Sequence, residues 1–280
     1  MIRPQRLIDF INDPRFLWRP EISTTSLTRF CPRVGGVTFD IEENYFDKSP
    51  KGIEIFLTKV ELILRKYKVR ATFFVQGELI ESFGAILRSL SNKGHEIGVH
   101  GYTHQNWGNF VWFWNEPPLS LETKRNHLAM VRDLFSKNRL PEPKSFRAPN
   151  LNINRESLRL LRGFNYLVDS SWPSFRAPGQ KKQKVAGITQ IPLTSLAKPR
   201  IIRKIGILPV RDYYPLNFCN VQKMSSSELK SYIDGLSSNC FVFLAHPWEF
   251  ETDHCYTILE EMIARLSFRN EISWQTMTKL

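Results

Sequence analysis

Several features are scarce or absent in this chain of 280 residues, and each absence excludes a class of protein. The chain contains only four cysteines, which are Cys31, Cys219, Cys240 and Cys255. No two of them form a C-x-x-C pair, which argues against a disulfide framework and a thiolate zinc site. There is no apolar run of about eighteen residues, so no membrane-spanning helix is predicted. No G-x-G-x-x-G or phosphate-loop motif is present, so we expect no nucleotide cofactor.

The start of the chain also lacks a continuous apolar stretch behind its first charges, and it does not resemble a secretory signal. We therefore expect a cytoplasmic protein, with peripheral association at a membrane as a further hypothesis. Residues 1–33 are irregular and contain several prolines. We predict that they form an N-terminal extension packed on a single domain of residues 34–280.

Acidic residues are few relative to basic ones, with 27 Asp and Glu against 39 Lys and Arg, for a net charge of +12. Such a surface favours polyanionic partners, including an anionic membrane surface. The basic residues are dispersed and no nucleic-acid-binding motif is present, so specific nucleic-acid binding is not expected. The densest basic cluster, residues 181–184, is predicted as a solvated loop. The sequence leaves the oligomeric state open.

Two kinds of apolar pattern alternate along the chain. Helical spacing predicts helices at about 52–66, 81–92, 119–137, 154–162, 225–236 and 255–266. Short apolar runs predict strands at about 36–41, 70–75, 96–99, 145–146, 166–169, 187–191, 205–210, 240–245 and 271–274. This alternation is typical of a parallel α/β protein, either open or closed into a barrel.

Polar residues stand at or just after the carboxyl ends of several predicted strands. These residues are Asp40, His100, Arg147, Asp169 and His246. In α/β barrels the active site lies at this edge of the sheet. The pattern therefore predicts that these five side chains share one site.

The chemistry of such a site is indicated by His100 and His104, which stand four residues apart. Two histidines and a carboxylate, with one position open, are a common catalytic zinc set. Asp40 and Glu42 can supply that carboxylate and also a general base, and Glu43 is a second-ranked candidate ligand. Zinc is the expected divalent metal, with cobalt, nickel and manganese as alternatives. A metal of this kind acidifies water and polarises a carbonyl group.

Five ordered motifs carry a resemblance to a known family. They are Thr38-Phe-Asp-Ile-Glu42, His100-Gly-Tyr-Thr-His104, Phe146-Arg-Ala-Pro149, Asp169-Ser-Ser-Trp172 and Leu244-Ala-His-Pro-Trp-Glu249. Together they resemble the polysaccharide deacetylase family, the NodB-homology or carbohydrate esterase 4 group, over about residues 35–275. The resemblance implies a distorted (β/α) barrel, commonly of seven strands. It makes residues 34–280 the catalytic domain.

The resemblance also implies a role for each matching position. Glu42, His100 and His104 match the metal ligands, and Asp40 matches the general base. Arg147 matches the arginine that pairs with the base, His246 matches the general acid, and Asp169 matches the acid that orients it. The residues that would line the substrate cleft are Pro149, Trp172 and Trp248. The implied reaction is metal-assisted hydrolysis of an N-acyl group, expected to be acetyl, on an amino sugar or glycan.

Two departures widen the choice of substrate. The family motif usually has two adjacent aspartates, whereas this chain has Asp40 and Glu42 with one residue between them. The His-Pro-Trp-Glu motif is similar to a subgroup that includes enzymes of small amides. We therefore keep two alternatives, which are a hydrolase of a small non-sugar amide such as a cyclic ureide, and a non-catalytic carbohydrate-binding barrel.

The segment of residues 107–114 is rich in aromatic side chains, with five in eight residues. Such a segment could belong to the core, to a substrate wall or to an interfacial patch. With the basic charge, it suggests a peripheral membrane protein. We therefore add the hypothesis that the sugar is lipid- or nucleotide-linked.

Overall fold

The computed structural model of the protein describes residues 33–43, 50–110, 117–172, 182–199, 211–215, 218–222, 225, 240–267 and 272–280. The predicted strand at 205–210, nearly all of the predicted helix at 225–236 and residues 1–32 of the extension lie outside these ranges. So do residues 111–114 of the aromatic segment. Within the described residues, no helix is both long and apolar enough to cross a membrane.

Strands and helices alternate along the described chain, as the sequence predicts. The strands are β1 (Arg33–Ile41), β2 (Ala71–Val75), β3 (Glu96–Val99), β4 (Ser145–Phe146), β5 (Val168–Asp169), β6 (Gln183–Val185), β7 (Ile188–Gln190), β8 (Ser195–Pro199), β9 (Arg211–Pro215), β10 (Cys240–Ala245) and β11 (Ile272–Trp274). The helices are α1 (Ile53–Lys66), α2 (Ile80–Asn92), α3 (Leu121–Lys137), α4 (Arg155–Gly163), α5 (Phe218–Val221) and α6 (Asp253–Ser267). The long helices begin and end within about two residues of the predicted bounds, because their apolar stripes are well marked.

The strands form one mixed sheet in the order β10-β1-β2-β3-β4-β5-β7-β6, with β11 also paired to β1. This gives nine strands among the described residues, and the sheet curls into a partial barrel. All pairs except β6 with β7 are parallel. Strands β8 and β9 form a separate antiparallel pair. The expected count of seven strands and full closure of the barrel stay predictions.

The prediction of a loop at residues 181–184 is wrong for residues 183 and 184, because Gln183–Val185 forms strand β6. Val185 pairs with Ile188 across a loop of only two residues. Those two residues, Ala186 and Gly187, have φ values of 52° and 83°. Two positive φ values in a two-residue loop are typical of a tight hairpin turn. The glycine at the second position was the sequence signal for this hairpin.

The two faces of the sheet bury different apolar clusters. Alternate side chains of a strand point to opposite faces. Along β10, Phe241 and Phe243 belong to the large core between the sheet and the helices. Val242 and Leu244 belong to a second cluster on the other face. Strand β2 is buried at every position, as expected when both faces of a parallel sheet are covered.

Candidate metal and catalytic site

The alternation along β1 directs the first site residues to the inner face of the sheet. Phe39 and Ile41 belong to the helix-side core, so Thr38 and Asp40 point the other way. Glu42 follows directly after the strand and is also buried. Two carboxylates therefore reach the carboxyl-end rim of the sheet within three residues of each other.

The remaining predicted residues reach the same rim from other strands. His100 follows β3, Arg147 follows β4 and His246 follows β10, while Asp169 ends β5. These strands run parallel to one another through the sheet. The prediction that the polar residues stand at the carboxyl ends of the strands is confirmed.

Glu42, His100 and His104 form the one group with metal-ligand chemistry found in the described part of the chain. Glu42 Oε2 lies 3.1 Å from His100 Nε2 and 3.0 Å from His104 Nε2. The ligand atoms of the three residues all lie within 4.8 Å of one another. Ligands of one tetrahedral zinc ion lie about 3.3 Å apart, so the two distances from Glu42 to the histidines fit one shared ion. The structure brings Glu42 to the histidines, and Glu43 is not part of the group.

The backbone around His100 fixes the ring before any ion arrives. His100 Nδ1 donates to the Arg147 carbonyl at 2.9 Å, which leaves Nε2 as the ligand atom. The next residue, Gly101, has φ of +72°, and a Cβ there would lie 2.9 Å from the Thr103 carbonyl oxygen. Glycine therefore allows the tight turn that returns the chain to His104.

The protonation of Glu42 also suits a ligand. Burial raises the pKa of this carboxyl group, but the hydrogen bonds with His100 and His104 outweigh burial. The pKa is held well below its usual value, so the carboxylate stays ionised near neutral pH. Its second oxygen accepts a hydrogen bond from Trp248 Nε1 at 3.3 Å. The donor atoms are thus of the type that binds zinc, and hydrogen bonds from neighbouring groups already orient them.

The buried guanidinium of Arg147 organises the neighbouring acid. Its Nη1 donates to Asp40 Oδ1 at 2.6 Å and to Thr38 Oγ1 at 2.9 Å. Its Nε and Nη2 donate to the carbonyl and the hydroxyl of Ser170, both at 3.1 Å. The group also lies 4.3 Å from the ring centre of Phe74. Asp40 is therefore held by a buried cation, as predicted, and its Oδ2 lies 4.0 Å from His100 Nε2.

His246 follows β10, the strand paired to β1, and has a partner that the sequence did not predict. Its Nδ1 lies 3.2 Å from Glu249 Oε2, and the same oxygen accepts its backbone N–H at 2.7 Å. The ring stacks on Trp248 with centroids 4.9 Å apart. Burial lowers the pKa of His246, but the Glu249 hydrogen bond and the nearby carboxylates raise it to about 9. The imidazole is therefore protonated at neutral pH.

The expected contact between Asp169 and His246 is absent from the hydrogen bonds of the described residues. Asp169 Oδ1 and Oδ2 instead accept the hydroxyl and the backbone N–H of Ser171, at 2.6 Å and 3.0 Å. The Ser171 hydroxyl oxygen accepts the Ala148 N–H at 2.8 Å, so Asp169 braces the segment that carries the arginine. Burial raises the pKa of Asp169 to about 6. Among the hydrogen bonds of the described residues, the side-chain partner of His246 is therefore Glu249, and the role expected for Asp169 stays a prediction.

A local signal for Glu249 was present in the sequence. A glutamate three residues after the residue that precedes a short helix can accept the backbone N–H of that residue. The structure contains this hydrogen bond, with His246 before the single 3₁₀ turn Pro247–Glu249 and Glu249 Oε2 accepting the His246 N–H at 2.7 Å. The turn therefore brings Glu249 to His246, whereas, among the described residues, Asp169 at the end of β5 does not form this contact.

The three residues expected to line a cleft have different positions. Trp248 contacts both Glu42 and His246, as described above. Pro149 is buried, and its Cγ would lie 3.3 Å from a Cβ on Gly101, behind the histidine turn. Trp172 is partly buried and packs against the large core. Only Trp248 is therefore in direct contact with both the ligand set and the candidate acid.

Sequence comparisons find that part of this chain is similar to polysaccharide deacetylases. A family model described as polysaccharide deacetylase matches residues 36–168. A peptidoglycan deacetylase of Helicobacter pylori is 29% identical over 122 residues, which are 40% of this chain and 36% of that protein. A peptidoglycan-N-acetylglucosamine deacetylase of Bacillus cereus is 29% identical over 113 residues, which are 40% of this chain and 38% of that protein. The matches thus span less than two-fifths of either relative.

The fold comparison extends over nearly the whole chain. The crystal structure of a polysaccharide deacetylase candidate from Mycobacterium smegmatis has a TM-score of 0.64 and 18% identity, with 91% of each chain covered. At this identity the likeness establishes the fold alone. The family model matched over residues 36–168 and the shared fold together support the resemblance of this chain to the polysaccharide deacetylases of the NodB type.

Proposed function

We propose that this protein is a metal-dependent hydrolase that removes an N-acetyl group from an amino sugar or glycan. The observation that carries the proposal is the arrangement on one rim of three kinds of group. These are the donor set of Glu42, His100 and His104, the acid Asp40 held by a buried arginine, and the protonated His246. Each step of amide hydrolysis then has a side chain of suitable chemistry.

The residues would divide the work as follows. A divalent ion held by Glu42, His100 and His104 supplies Lewis acidity, which polarises the acyl carbonyl and acidifies water. Asp40, kept ionised and oriented by its arginine, accepts the proton of the attacking water. His246 donates a proton to the leaving nitrogen. The products are acetate and a free amine.

The proposed substrate class follows from the names of two relatives. The Helicobacter and Bacillus relatives are named for peptidoglycan, and the second name specifies N-acetylglucosamine. The matched share of those proteins is small, so we carry over only the chemical class, which is an N-acetylated amino sugar. Residues 34–280 would form the catalytic domain, with the sheet closing into a distorted barrel. Two hydrogen bonds between Thr194 and Val242, at 3.3 Å and 2.8 Å, bring the segment after β7 to β10 and support that closure.

The proposal includes the cellular location of the reaction and the group to which the sugar is linked. The aromatic and basic content of the chain supports a substrate linked to a lipid or nucleotide, handled in the cytoplasm at the membrane surface. Flotation with anionic vesicles tests this version, and a protein that stays entirely unbound would count against it.

The experiment that tests the function measures product release across substrates. Purified protein is stripped with a chelator, reloaded with zinc, and incubated with N-acetylglucosamine oligomers, peptidoglycan fragments and a cyclic ureide. We expect zinc-dependent acetate release from at least one sugar. Ring opening of the ureide without acetate release would favour the small-amide enzyme. Binding of the oligomers with no hydrolysis of any substrate would favour the carbohydrate-binding barrel.

A further inference from the structure

The short turn Pro247–Glu249, which follows β10, contains an acid to which neither the sequence motifs nor the family resemblance gave a role. This acid is Glu249, which is only 7% exposed. One of its oxygens, Oε2, faces both the backbone N–H and the ring Nδ1 of His246, at 2.7 Å and 3.2 Å. A single carboxylate oxygen thus contacts one histidine at two points.

These two contacts restrict the imidazole ring more than a ring contact alone would. The backbone hydrogen bond fixes the carboxylate relative to the chain of His246, and the ring contact then fixes the rotation of the side chain. Trp248 stacks against the ring with an angle of 22° between the planes. With Nδ1 facing the carboxylate, Nε2 is the atom left to act on a substrate.

The alternative partner is engaged elsewhere. Both oxygens of Asp169 accept hydrogen bonds from Ser171, and Ser171 in turn holds the backbone N–H of Ala148. The charges that raise the pKa of His246 come from Glu249, Glu42 and Asp40. The acid on β5 therefore serves the arginine segment, and the acid in the turn serves the histidine.

We propose that Glu249 is the positioning residue of the general acid, an inference that rests on the deacetylase function proposed above. Glu249 holds Nδ1–H and stabilises the positive charge of the ring. When the C–N bond breaks, its electron pair moves to the nitrogen, and the Nε2 proton of His246 passes to that nitrogen. The ring is left neutral, with Nδ1–H still bound to Glu249. This arrangement places donor and orienting acid three residues apart in one turn.

The test compares Glu249→Gln with Asp169→Asn, since each removes one buried carboxylate while keeping an oxygen acceptor. We expect Glu249→Gln to lower kcat by about tenfold or more, because general acid catalysis contributes about 10² to 10⁴. KM and zinc stoichiometry should stay within about twofold of the wild-type values. A Glu249→Gln protein with unchanged kcat would overturn the proposal.

A second readout does not depend on turnover. Two-bond ¹H–¹⁵N NMR spectra of the zinc-loaded protein report which ring nitrogen of His246 carries the proton. We expect a protonated Nδ1 in the wild type, an altered ring signal in Glu249→Gln, and an unaltered one in Asp169→Asn. An unaltered signal in Glu249→Gln with an altered one in Asp169→Asn would overturn the proposal. Failure of the wild type to release acetate would refute only the proposed function, because the NMR readout does not need turnover.

Unfolding of Glu249→Gln would not end the test. Glu249→Asp keeps the charge and shortens the reach by one methylene, so it should change the His246 signal in the same direction. The retained carboxylate should leave part of the kcat lost in the glutamine variant. An aspartate variant with a wild-type ring signal would contradict the positioning role.

Discussion

At the scale of single residues, the candidate site is prepared by groups that do not themselves bind the ion. The Arg147 carbonyl fixes the ring of His100, and the indole of Trp248 holds one oxygen of Glu42. Outer partners of this kind orient the ligands and tune their affinity for a metal. The consequence is that affinity should change when these partners change, even though every ligand remains.

Trp248→Phe tests this consequence at the ligand carboxylate. The phenyl ring can still stack on His246, but the hydrogen bond to Glu42 Oε1 is lost. We expect zinc affinity to fall by about tenfold, since loss of such a partner typically costs 10- to 100-fold. Competition with a chromophoric chelator measures it. Trp274→Phe, which removes an indole hydrogen bond to Ser267, is the matched control and should bind zinc like the wild type.

The turn between the two histidines provides a second residue-scale prediction. Gly101→Ala places a side chain at φ of +72° and 2.9 Å from a carbonyl oxygen. We expect a loss of about 1–3 kcal/mol in unfolding free energy, the usual cost of such strain, together with weaker zinc binding. Urea unfolding measures the first effect. Gly163→Ala meets open space at the end of α4 and should lose nothing, and equal losses in both variants would refute the strain argument.

At the scale of elements, periodicity predicted the parts that bury a continuous apolar face. Helix α1 buries Phe56, Leu57, Val60 and Leu64 on one stripe, which the pattern already showed. The β6–β7 hairpin was missed because its turn depends on two positive φ values, and apolar periodicity does not report them. Glu249 was missed as a partner because the choice between two acids depends on how a single turn closes.

His95, which lies just before β3 and contacts the start of β2, makes the stability of the fold depend on pH. His95 is 7% exposed, and its Nδ1 accepts the Ala71 N–H at 3.2 Å. Burial lowers the pKa of His95 from 6.5 to about 4. Between these values the unfolded chain binds a proton that the folded chain does not, so stability present above pH 6.5 is lost as the pH falls.

We expect this single group to remove up to about 3 kcal/mol of unfolding free energy on acidification. Urea unfolding at a series of pH values measures the slope in the wild type and in His95→Asn. The asparagine variant should show a shallower slope over the same window. His254→Asn, at an exposed position of α6, should keep the wild-type slope, and identical slopes in all three proteins would contradict the assignment.

At the scale of the whole molecule, the site joins residues that are far apart in sequence. Arg147 and Asp40 are separated by 107 positions, and Trp248 and Glu42 by 206. The sequence could place Asp40 and Arg147 at strand ends, and the resemblance added their roles and that of Trp248. The distances between them required the curled sheet, because only its parallel pairing brings these ends to one rim.

Because the donor set bridges separate strands, binding of an ion should stabilise the entire fold. An ion that binds only the folded chain adds about 4 kcal/mol at a thousand times its dissociation constant. We therefore expect zinc to raise the melting temperature, measured by calorimetry. Glu42→Gln should lose the increase, whereas Glu142→Gln, at an exposed acid paired with Lys144, should retain it. An equal increase in the Glu42 variant would refute the ligand assignment.

The most direct test of the central claim is acetate release from an N-acetylglucosamine oligomer by zinc-loaded wild type and by Asp40→Asn, each holding one zinc per chain. Removal of the base should lower kcat by about 10² or more while zinc remains bound, because the asparagine cannot accept the proton. The account would be contradicted if the variant released acetate at the wild-type rate.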